Sequence, residues 1–162
     1  LLHTTPVEFM DNWRSNQERL HGREMRDEDV ERIEAAVSAQ LARALVRALS
    51  ERGGYELTTE SGPGVMELMP NIVDLDITAT GWVQSSILES QPESRGKMTT
   101  ELVIRDSVSD KLLAVAWQEQ SDPREGEMEM TLSVSNASAF RLMSQNFADW
   151  VLRQLDNVRS EP

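Results

Sequence analysis

From Asp27 onward the chain keeps a rhythm that admits one local structure. Val30, Ile33, Val37, Leu41, Leu45 and Leu49 recur at intervals of three and four, with Ala36, Ala44 and Ala48 beside them. This period gathers the apolar side chains on one face of an α-helix, and such a face is stable in water only when something packs on it. The ends carry matching signals. Asp27 is the candidate N-cap, Glu28, Asp29 and Glu31 suit the positive end of the helix dipole, Arg47 and Arg52 suit the negative end, and Gly53-Gly54 stops the helix. The spacing predicts a helix over Asp27–Glu51 with Val37, Leu41 and Leu45 deeply buried against a sheet.

The rest of the chain supplies that sheet. In the opening residues Thr5, Val7 and Phe9 alternate with Thr4, Pro6 and Glu8, the period of an entering strand. Asp11–Arg26 is polar, broken by Gly22 and anchored by Trp13, Leu20 and Met25, and reads as a loop with one helical turn. Tyr55–Thr59 reads as a short strand, Ser61-Gly62-Pro63-Gly64 as a turn, and Val65–Thr80 as a longer extended segment. In that segment Val73, Leu75 and Ile77 are expected to face the core and Asp74, Asp76 and Thr78 the other side. A long connection over Gly81–Lys97 leads to a hairpin. Met98, Leu102 and Ile104 form one apolar face, Asp106–Asp110 is the turn, and Leu113, Val115 and Trp117 form the apolar face of the returning strand. Asp122–Glu129 reads as exposed and Met130–Val134 as a further strand. A second amphipathic helix starts near Ser138, with Phe140, Met143, Phe147, Trp150, Val151 and Leu155 on one face, and ends near Val158. The predicted fold is α+β, a mixed, mainly antiparallel sheet covered by two amphipathic helices in the order β-α-β-β-β-α, as one domain over residues 1–162.

Composition narrows the function. With 162 residues, 39% of them hydrophobic, the chain can bury a core without cross-links, and it has no cysteine for disulfides, thiolate metal sites or thiol catalysis. The net charge is −12 and is concentrated in residues 55–135, which hold 5 basic and 15 acidic side chains. Such a surface repels a phosphate backbone, so nucleic acid is excluded as an expected partner. No apolar run reaches the roughly 18–20 residues that span a bilayer.

Two segments carry a family resemblance, TTPVEF at Thr4–Phe9 and TELVIRDSVSDKLLAVAW at Thr100–Trp117. They resemble the entering "VdPVef"-like strand and the "vElrDsvtGe.laa" hairpin of bacterial lipoproteins grouped as domain of unknown function 3313, with Asp110 where the hairpin glycine usually stands. The element order is also similar to that of TolB N-terminal and penicillin-binding-protein-activator lipoprotein domains, which bind other proteins. The first resemblance implies an exported, periplasmic domain, held at the outer membrane by a lipidated cysteine upstream of Leu1 and touching membrane only through that anchor. No catalytic residues come with either resemblance.

The residues offer little chemistry of their own. His3 and His21 have no neighbouring ligand at helical spacing and read as surface or edge residues. Asp74-Leu75-Asp76-Ile77-Thr78 alternates like a calcium loop, but Ala79 stands at the required glycine and Ser85 at the required glutamate, so a half-solvated strand is the simpler reading and a weak surface cation site the alternative. Arg95-Gly96-Lys97-Met98 lacks the glycine and hydroxyl of a phosphate loop, and Gly62-Pro63-Gly64 lacks the third glycine of a dinucleotide site. Paired carboxylates such as Asp74 with Asp76 or Glu101 with Asp106 are the one acid–base option, and chance supplies many such pairs among 28 acidic residues.

The expected function is therefore a non-catalytic lipoprotein domain, without cofactor, that binds a protein or envelope component or forms a homodimer. A small hydrolase using acidic residues is the alternative. The candidate docking surface is the sheet face opposite the helices, with Glu8, Asp74, Asp76, Glu101, Val103, Arg105, Ala114, Ala116 and Gln118 placed on it by alternation. The missing ligand spacings predict that elemental analysis finds no stoichiometric metal and that EDTA leaves the thermal midpoint unchanged; a chelator-sensitive melt with a specific bound metal would refute this.

Overall fold

The long helix forms as predicted, for the predicted reason, with a different cap. In the computed structural model, which describes residues 1–22, 24–77, 96–121 and 136–160, α2 spans Asp27–Val46 and runs on as a π-helical turn over Arg47–Arg52. Its N-cap is Arg26, one residue before the expected Asp27. Asp29 closes the cap by accepting from the Arg26 backbone N–H at 3.3 Å, which satisfies a donor the helix cannot. The π-helical turn adds a residue to the last coil, so the adjacent Ala48 and Leu49 both point inward. At Gly53 a Cβ would lie 2.5 Å from a Leu152 methyl carbon and 2.9 Å from the Leu49 carbonyl, so only glycine lets the helix end approach the C-terminal helix.

The sheet has the strand order β1-β2-β3-β4, with β1 at Val7–Phe9, β2 at Met66–Asp76, β3 at Lys97–Asp106 and β4 at Leu112–Ser121. β1 pairs with β2 in parallel across the helical crossover, and the other pairs are antiparallel. One face is covered by α2 and by α3 (Asn136–Ser160). The core is the meeting of three stripes: Ile33, Val37, Leu41 and Leu45 from α2, Phe140, Met143, Phe147 and Val151 from α3, and Leu68, Ile72, Leu75, Met98, Leu102 and Ile104 from the sheet.

Four expectations are corrected. Asp11–Arg26 contains a helix, α1 (Trp13–His21), where a loop with one turn was expected. Its apolar period is hidden because the second buried position is Gln17, and it is held by tertiary contacts. The Trp13 ring stacks on Phe9 with centroids 3.8 Å apart and its indole N–H donates to the Ile77 carbonyl at 2.6 Å. Tyr55–Thr59 forms no strand; the Tyr55 N–H instead donates to the Leu49 carbonyl at 2.9 Å. Val73 is the extra residue of a bulge, since Ile72 pairs with Thr100 and Asp74 with Thr99, so the buried set runs Leu68, Pro70, Ile72, Leu75, Ile77 and omits it.

The fourth correction concerns β4. Ala114 pairs with Ile104 and Ala116 with Leu102, so the alanines share the helix side with the buried residues of β3, and Leu113, Val115 and Trp117 point the other way. The cause is a second bulge. Arg105 pairs with Leu112 while Ile104 pairs with Ala114, leaving Leu113 unpaired and inverting the parity that unbroken alternation across the turn assigns. The expected Met130–Val134 strand, the exposed Asp122–Glu129 segment and Gly81–Arg95 of the long connection lie outside the described residues.

Leu41 is fully buried. Leu41→Ala is expected to destabilise the domain by about 2–5 kcal/mol in denaturant melts, the range for truncating a packed leucine, and a loss under about 0.5 kcal/mol would contradict this packing.

Candidate functional site: the open sheet face

The face turned away from α2 and α3 is laid out in cross-strand rows. Met69, Val103 and Val115 form one row, followed by Asn71, Glu101 and Trp117, then by Asp74, Thr99 and Glu119, and last by Asp76, Lys97 and Ser121. Polarity therefore changes along the strands. Beyond the Glu67, Arg105 and Leu112 row next to the hairpin turn the face is apolar, with Leu113 48%, Val115 36% and Trp117 61% exposed, and its far end is acidic.

Electrostatics differ between the two ends. Burial and then the neighbouring Asp74 push the Asp76 carboxyl above its ordinary range. Lys97 is nearby but its ammonium pairs with Glu119 at 3.3 Å. At the turn, the Asp106 carboxylate accepts from the Ser109 N–H at 2.8 Å, from the Ser109 hydroxyl at 2.7 Å and from the Val108 N–H at 3.2 Å, and these bonds, the Ser109 N–H first, hold it below the ordinary range. The missing hairpin glycine is accommodated by Asp110, which takes the left-handed conformation at φ 56° while Arg105 donates to its carbonyl at 2.9 Å.

Of the expected surface, Asp74, Asp76, Glu101, Val103 and Arg105 lie on this open face, and Ala114, Ala116 and Gln118 lie on the helix side. In their place stand Leu113, Val115 and Trp117, which alternation had assigned to the core. Size gave no warning, since bulk, like alternation, assigns these three side chains to the core. The Glu101 and Asp106 pair is not brought together, because they stand five positions apart on one strand, roughly 16 Å. Asp74 and Asp76 share the face. A cavity of about 450 Å³ lies at the Met66 end of β2, lined among others by Leu1, Leu2, Leu49, Leu57 and Leu155, with Glu56 as its carboxylate. Among the described residues no three histidine, aspartate or glutamate side chains converge as metal ligands, and His3 sits 3.4 Å from Glu67.

A mixed four-stranded sheet with helices, an α+β fold, defines the class of the protein, and comparison with known proteins gives its family. Residues 4–151 match the family described as protein of unknown function DUF3313, and the chain belongs to that family. No curated protein matches it. Among solved structures it is similar to a Xanthomonas campestris protein of the family DUF330, at 13% identity and a TM-score of 0.46, over 74% of this chain and 64% of that one. It is also similar to a candidate lipoprotein from Caulobacter crescentus, at 11% identity and a TM-score of 0.34, over 74% of this chain and 77% of that one. The chain thus spans less than two thirds of the Xanthomonas protein's length. No helix among the described residues is long and apolar enough to cross a membrane.

Asp76 gives a pH prediction. Its carboxyl is raised in the fold, so ionising it costs stability; that cost is present above the raised value and absent below the ordinary carboxylate value. Asp76→Asn is expected to raise stability at pH 7 by up to about 0.5 kcal/mol, a half-exposed charge being screened, with the gain gone near pH 3. A variant less stable than the parent at pH 7 would refute the assignment.

Proposed function

We propose that the chain is a non-catalytic binding domain of a periplasmic lipoprotein, anchored to the outer membrane by an upstream lipid, and that it docks a protein through the open face beside β4. One observation carries this reading: Trp117, 61% exposed, stands in the paired part of β4 beside Val115, on a face whose far end is acidic. A large aromatic on a rigid element pays little ordering entropy when it enters a partner's pocket, which is why such residues dominate binding energy. The carboxylates at the far end of the face, Asp74, Asp76 and Glu119, steer encounter and disfavour anionic partners. The envelope setting comes from what the family resemblance implies, and the analogy with TolB N-terminal and activator-type domains rests on element order.

The hydrolase alternative needs its carboxylates in a concave, water-excluding site. Asp74, Asp76 and Glu101 sit on an open face and the cavity lies at the other end of β2, an arrangement that favours binding. The test is a photocrosslinking side chain placed at Trp117 or at the exposed Glu31 of α2, in cells. Protein adducts are expected from position 117 and not from 31. Equal yields from the two positions, or none from 117, would refute the reading.

A further inference from the structure

The cavity at the Met66 end of β2 is walled by separate parts of the chain. Leu68 comes from the inner face of the sheet, Leu49 from the π-helical end of α2, Leu155 from the last turns of α3, and Leu57 and Val65 from the segment that joins α2 to β2. Its volume of about 450 Å³ falls within the range of small-molecule sites, about 300–1,000 Å³. The walls are mainly aliphatic, and among the described residues that line the cavity Glu56 is the one charged side chain. The chain leaves the described residues elsewhere: Ile77, Gly96 and Ser121 stand at the opposite end of the sheet, where Asp76, Lys97 and Ser121 form the last row.

Two features of its construction point to an occupant. Among the described helices the coil widens to a π-helical turn only at Arg47–Arg52, and such turns are frequent at functional sites. This turn sets Leu49 into the wall, and the Leu49 carbonyl accepts the Tyr55 N–H at 2.9 Å, which sends the chain on past the cavity. The second feature is the wall that follows. It is pinned at both ends, by the Tyr55 hydroxyl donating to Asp156 at 3.1 Å and by Gly62, whose N–H donates to the Ser107 hydroxyl at 3.1 Å and whose carbonyl accepts from it at 3.2 Å. Between these pins, among the described residues, the hydrogen bonds of residues 56–61 join only Thr58 and Glu60. Leu57 stays 38% exposed at the rim of an apolar space. A folded interior ordinarily closes such a void, because unfilled apolar volume costs stability.

We propose that this cavity binds the aliphatic chain of a small amphiphile, with a head group that donates hydrogen bonds and carries no negative charge resting at Glu56. The site is separate from the open sheet face and does not depend on the docking reading. Leucine, valine and methionine walls suit a slender, flexible chain, which gains by leaving water and needs no polar partner along its length. The head follows from charge. An ionised carboxylate offers acceptors alone, so it pairs with an ammonium or hydroxyl and repels a carboxylate or phosphate, and a chain at −12 adds to that repulsion.

The test is calorimetric titration of the full-length protein with decylammonium below its micellar concentration. One saturable site per chain is expected, with Kd below about 1 mM and a raised thermal midpoint. Decanoate, the same chain length with an anionic head, should bind at least about tenfold more weakly. Leu57→Trp fills the cavity from its exposed rim and should weaken decylammonium binding at least about tenfold while leaving the unliganded midpoint unchanged. Glu56→Gln, at an exposed position, should fold normally and bring the two probes to within about threefold of each other. Trp117→Lys, on the open face, should leave the titration unchanged. No saturable site for decylammonium, decanoate bound as tightly by the parent, or undiminished selectivity in Glu56→Gln would overturn the inference, as would a folded Leu57→Trp variant with the parent's affinity. Photocrosslinking from position 117 should persist in Leu57→Trp, so failure of the cavity site and failure of the docking face are read separately.

Discussion

Burial of the α2 stripe between the sheet and α3 is the constraint from which the rest follows. Val37, Leu41 and Leu45 have no exposure, and neither do Phe140, Met143, Phe147 and Val151, which meet them from α3. At about 1.5–3 kcal/mol for each large side chain removed from water, this is the dominant favourable term in a chain without cross-links. Both long helices are spent on one face. The other face is left to the side chains of the strands, and its half-buried, mixed character is the direct outcome of a two-layer fold.

Two single-residue bulges then decide what each face shows. Val73 re-phases β2 so that Leu75 and Ile77 return to the core and Asp74 and Asp76 turn outward. Leu113 re-phases β4 so that its alanines turn inward and Trp117 outward. The inner row of β4 is thereby small and polar, and it is tied to α3 through Gln120. With its nitrogen toward the helix carbonyl, that amide donates to Met143 at 3.1 Å and accepts from the Phe147 N–H at 3.1 Å. The bulk that a core strand would bury is instead displayed.

Local polar bonds secure the ends of the elements. Asp29 is nearly buried in the first turn of α2; burial alone would raise its carboxyl, but the Arg26 N–H and the cations of Arg26 and Arg32 together hold it below the ordinary range. Asp106 does the same work at the β3–β4 turn, and its three accepted bonds fix the geometry from which the second bulge starts. The surface chemistry of β4 thus begins with a turn several residues away.

The sequence by itself determined the elements whose information is local and periodic. The α2 stripe, its stop at Gly53-Gly54, the α3 stripe and the existence of the β3–β4 hairpin all follow from residues three, four or two apart, and so did the placing of Asp74, Asp76, Glu101, Val103 and Arg105 on one face. Tertiary structure decided what depends on partners distant in the chain. Trp13 makes α1 a helix by reaching Phe9 and the Ile77 carbonyl, contacts invisible in the polar stretch around it. The side that Ala114, Ala116 and Trp117 take was equally hidden, because alternation has a period of two and one unpaired residue reverses it. Whether a strand carries that extra residue is set by its pairing with the neighbouring strand, so the apolar side of β4 became legible only once β3 lay beside it.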